Sequence, residues 1–100
     1  MVKKVKWNKL ATSSLSQIAE YLESEISYDS ATRFVNLVYD KIDVLKKYPD
    51  MGRPAPKTKT IRFIKVDKNR RMYFRRNGTT LHIVWFFDTR QDPSKNIYKN

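Results

Sequence analysis

A chain of 100 residues with 40% hydrophobic content fits one domain with a modest core, and thirteen aromatic side chains argue against disorder despite a formal net charge of +11. Cysteine is absent, which excludes disulfides and thiolate metal sites. Residues 51–100 carry thirteen Lys or Arg against three acids, a one-sided charge that calls for a polyanionic partner, nucleic acid first and an acidic protein second.

Residues 2–7 alternate Val2, Lys4 and Lys6 with Lys3, Val5 and Trp7, which predicts a short strand with lysines outward. Asn8 is placed to cap the next element. Over residues 10–26, Ala11, Leu15, Ile18, Leu22 and Ile26 fall on one helical stripe. Residues 27–30 supply capping oxygens for a second helix, whose apolar face runs through Ala31, Phe34, Val38, Ile42 and Leu45 to Tyr48. Pro49 ends it, because the residue before a proline is driven out of helical geometry.

Residues 50–59, with Gly52, Pro54 and Pro56, read as a loop. Strands follow over about 60–67, 71–76 and 80–88, and Asn77-Gly78 between the last two is a hairpin signal whose turn positions both need positive φ. The final strand is apolar on both faces, as a central strand is. Residues 89–100 form a polar tail expected to be mobile. The result is an α+β fold of order β-α-α-β-β-β. A helical hairpin covers one face of a mostly antiparallel four-stranded sheet, and the other face is left open and basic. The charged start lacks the apolar core of a signal peptide and no run reaches bilayer length, so no membrane and a cytoplasmic location are expected.

The basic set comprises Lys57, Lys59, Arg62, Lys65, Arg70, Arg71, Arg75, Arg76 and Arg90. Strand alternation puts Arg71 and Arg75 on one face, Arg70 and Arg76 on the other. With Arg62 and Arg90 they form a phosphate pocket, or else a solvated rim with edge lysines that block aggregation. His82, the single histidine, reads as a cross-strand residue before a catalytic base. Tyr73, Phe74, Trp85, Phe86 and Phe87 read as core, with Tyr73 and Phe86 also open to base stacking. Tyr98 is a tail residue or a contributor to a site. No second histidine or acidic cluster stands ready for a metal, and no cofactor is expected.

Several pieces, in order, resemble the RelE/ParE superfamily of type II toxin–antitoxin toxins. They are Trp7 with Ala11, Leu15, Ile18 and Tyr21-Leu22, then Leu45 with Tyr48-Pro49-Asp50-Met51-Gly52-Arg53. Ile61-Arg62, Arg71-Met72-Tyr73-Phe74, and Phe86-Phe87-Asp88-Thr89-Arg90-Gln91-Asp92-Pro93 complete the set. The resemblance implies a toxin blocked by a cognate antitoxin, with an acidic segment over the basic sheet face and a hetero-oligomer as the assembly. RelE-like members cut messenger RNA on the ribosome and ParE-like members poison DNA gyrase, and beside both stands a non-enzymatic nucleic-acid-binding module. The nuclease pattern implies metal-independent attack by a ribose 2′-OH. It makes Arg62 and Arg90 phosphate-stabilising, Lys57 or Lys59 the loop lysines, and Tyr98 the nearest tyrosine for the acid, since Asn96 stands six past Arg90. Arg71, Arg75, Lys65, Tyr73 and His82 become target contacts.

Overall fold

The computed structural model describes residues 1–56 and 58–98. The elements run β1 (Lys4–Trp7), α1 (Lys9–Glu25), α2 (Tyr28–Lys47), β2 (Arg53–Pro54), β3 (Arg62–Lys65), β4 (Arg70–Asn77) and β5 (Thr80–Asp88), followed by a 3-10 turn at Pro93–Lys95. The α+β class and the element order stand as expected, but the sheet has five strands, ordered β1-β5-β4-β3-β2. β2 is two residues long and its second residue is Pro54, so it carries no readable period. β1 runs parallel to β5, while the other neighbours are antiparallel.

Local chemistry sets the helices. Asn8 Oδ1 accepts from the Ala11 N–H at 2.7 Å, and Ser27 Oγ accepts from the Ser30 N–H at 3.0 Å. α2 stops at Tyr48 ahead of Pro49. The stripes Ala11, Ile18, Leu22 and Ala31, Phe34, Val38, Ile42, Leu45 are buried. Ile26 and Tyr48, expected to extend them, are 64% and 62% exposed, because each is the residue where its helix ends and the backbone turns away.

Two glycines shape the connections. Gly52 has φ +95°, and a Cβ there would lie 2.7 Å from the Phe63 carbonyl oxygen, so only glycine lets β2 approach β3. The β4–β5 hairpin closes with Asn77 opposite Thr80, leaving Gly78 and Thr79 as the loop. Gly78, at φ +61°, fills the first central position of such a turn. The turn therefore sits one residue later than Asn77-Gly78 suggested.

The helices cover one sheet face, where Met72, Phe74, Leu81, Ile83 and Phe86 join the main core. Tyr73 pairs with Trp85 and Phe74 with Ile83, so Val84 is an extra residue, a β-bulge in β5. The bulge resets the alternation and sends Val84, Trp85 and Phe87 to the far face.

That far face is not open across its middle, which corrects the expected basic surface. Ala55, Ile61, Phe63, Tyr73, Val84, Trp85 and Phe87 form a second apolar cluster with Tyr98 packed on it. Within the polar tail, Asn96 and Tyr98 pack on this cluster. Asn96 is 2% exposed and its Nδ2 donates to Tyr73 Oη at 3.1 Å, while Tyr98 stacks on Tyr73 at 5.1 Å. An amide buried with its partner in place ties the segment down. Among the described residues, no helix is long and apolar enough to cross a membrane.

Candidate functional site

Around the C-terminal end of β5, acids and arginines alternate. Arg70 pairs with Asp88 across the β4–β5 ladder and is buried. Its Nη1 reaches Asp67 Oδ2 at 3.0 Å, its Nε approaches Asp88 Oδ2 at 3.5 Å, and its guanidinium lies 5.5 Å from the Phe34 ring centroid. Arg90 grips the same Asp88 carboxylate with Nε at 3.1 Å and Nη2 at 2.7 Å. That fork holds the Asp88 carboxyl below its usual range.

This ionic chain borders a cleft of about 510 Å³ between α1 and β5, lined by Ser14, Gln17, Tyr21, Trp85, Phe86 and Arg90 among others. β1 ends opposite Ile83, so the rest of β5 has no strand on that side. Ser14 serves it instead: buried on α1, it donates to the Leu10 carbonyl at 2.7 Å and accepts the Phe86 N–H at 3.0 Å.

The pocket expected from Arg62 and Arg90 does not form. Arg62 lies level with Phe74, on the helix side of the sheet, and its Nη1 donates to the Gly52 carbonyl at 3.2 Å. Phe74 in turn lies opposite Ile83, well short of Asp88 and of Arg90 beyond it. Arg76 binds Asp50 at 3.2 Å. Lys59 is exposed on a loop closed by Thr58, whose Oγ1 accepts the Ile61 N–H at 3.1 Å. Lys57 lies outside the described residues.

Arg71 and Arg75 do share the far face. Arg71 lies 4.3 Å over the Phe63 ring and donates to Tyr73 Oη at 3.3 Å, and Lys65 pairs with it across the ladder. Tyr73 is fully buried, so it is core and offers no stacking surface. Phe86 packs in the main core against Trp7, ring centroids 5.7 Å apart. Tyr98 belongs to this face, apart from Arg62, and burial pushes its phenol up from the usual range.

At the other end of that face, Lys6 of β1 and Arg75 of β4 flank His82 of β5 on one rung. Partial burial, then Arg75 and Lys6, pull the imidazole below its usual range. Lys6 escaped the sequence reading as a site residue. Its outward alternation was legible, but only the parallel β1–β5 pairing, a long-range feature, sets it beside His82. Ser14 left no signal beyond its place one residue before Leu15.

Residues 5–93 match the model of a family described as the ParE toxin of type II toxin–antitoxin system, parDE. A comparison with curated proteins found no sequence match. The fold is similar to a structure of the chromosomal ParDE toxin–antitoxin system from P. aeruginosa, with a TM-score of 0.74 and 19% identity over 87% of this chain and 96% of that one.

Proposed function

Since the chain belongs to the ParE family of toxins of type II toxin–antitoxin systems, we propose that it acts by binding DNA gyrase, without cutting RNA, and that a cognate antitoxin neutralises it. The observation that carries this reading is the dispersal of the cutting set. RNA cleavage without a metal needs cations and a proton donor converging on one phosphate. Here Arg62 lies on the helix side bound to Gly52, Arg90 is held in a fork by Asp88, and Tyr98 packs on the far face against Tyr73. A binding toxin makes no such demand and needs only surface.

Exposed apolar side chains supply it. Leu10, Tyr21, Tyr28 and Tyr39 stand out on the two helices, the kind of anchors a protein target buries. Purified protein added to a gyrase supercoiling assay is expected to block supercoiling and accumulate cleaved gyrase–DNA complexes. Translating ribosomes given the same protein are expected to keep their messages intact. Cut messages with normal supercoiling would overturn the reading.

A further inference from the structure

We infer that the Lys6–His82–Arg75 rung, with Lys4 beside it, is a binding site for the phosphate backbone of nucleic acid. Three neighbouring strands each contribute one basic or imidazole side chain at the same level of one sheet face. Cross-strand neighbours stand about 5 Å apart, close enough for their side chains to converge on one phosphate. Lys4, two residues before Lys6, extends the row toward Thr80.

Among the described residues, none of the ion pairs involves Lys4, Lys6, His82 or Arg75, whereas Arg70, Arg76 and Arg90 are each held by an aspartate. These cations therefore have charge to offer. The groups facing His82 are Lys4 and Lys6 from β1 and Arg75 from β4, and Tyr98 of the tail lies near Arg75. The imidazole stands between two cations on one rung, and a bound phosphate would offset the repulsion among the three side chains.

The partner's class follows from what this face lacks. The large apolar side chains that are exposed lie on the helices, the loops and the two terminal segments, and none is on a strand. The aromatic rings of the far face are already buried under the chain's own loop and tail. A peptide would find few pockets for anchors here, whereas a polyanionic backbone gains from charge alone. The site stands whichever target the toxin meets.

Fluorescence anisotropy with labelled single-stranded and duplex DNA, titrated against salt, reads this directly. Lys6→Gln with Arg75→Gln is expected to weaken both by about tenfold and to lower the salt slope by about one for each cation removed. Arg33→Gln with Lys47→Gln, on the helical side, is expected to leave binding largely unchanged. In the unmodified protein, DNA is expected to raise the titration midpoint of the His82 ring by NMR, a measurement that needs no variant to fold. Equal losses from both pairs of substitutions, an unmoved His82 midpoint, or tighter binding of poly-glutamate at this rung would each overturn the site.

Discussion

Asp88 shows how one carboxylate can hold a sheet end together. It faces Arg70 below and Arg90 outside, and Arg70 is buried, so its charge left without partners would be costly. Asp88→Asn leaves Asp67 as the remaining anion for Arg70, so a loss of about 2–3 kcal/mol is expected in urea unfolding. The carboxyl's lowered pKa also fixes a sign. Its stabilisation is full above the unfolded value near 4 and fades as pH falls through the folded value, so the variant should flatten the stability curve on that acid side. Glycine at position 52 acts by shape. Gly52→Ala puts a Cβ against the Phe63 carbonyl and the Ile64 side chain, and about 1–3 kcal/mol is expected to go in thermal melts.

At the scale of elements, the C-terminal segment acts as a strap over the second apolar cluster. Asn96→Ala removes the donor to Tyr73 Oη and leaves the Tyr98 backbone N–H without its Asn96 acceptor, now 2.9 Å away. The expected result is faster hydrogen exchange over 96–98 and a red shift of Trp85 emission, while α1 and α2 keep their protection. On the other side of β5, Ser14→Ala strips the Phe86 N–H of its partner, and a buried donor left alone costs about 1–2 kcal/mol.

Elements differ in how far sequence reveals them. The helices were legible because caps and stripes are local: Asn8, Ser27 and Pro49 act within a few residues of themselves. The aromatic far face was not. Its composition was visible, but Trp85 and Phe87 reach it through the Val84 bulge, and its cover comes from residues far along the chain. The Arg62–Arg90 pairing failed for a related reason. Residue type suggested phosphate, while strand order and register set Arg62 on β3, level with Phe74 and two strands from the end of β5 that Arg90 follows.

At the scale of the molecule, charge and apolar exposure are divided. Unpaired cations gather at the Lys6–Arg75 end of the sheet, while exposed tyrosines mark the helices. A chain of net charge +11 repels itself, and moderate salt screens that repulsion beyond about 10 Å while sparing short buried pairs. The melting temperature is therefore expected to rise between low and physiological ionic strength, measured by differential scanning fluorimetry. A flat or falling profile would mean that attractive pairs outweigh the repulsion.

The parallel seam between β1 and β5 has a consequence in time. Residues 4–7 leave the ribosome well before residues 80–83, with which they pair. Contacts so distant along the chain form late, and until then the central core has no β5 to close on. A nascent chain still short of residues 80–83 is therefore expected to lack the closed fold that the toxin needs to act.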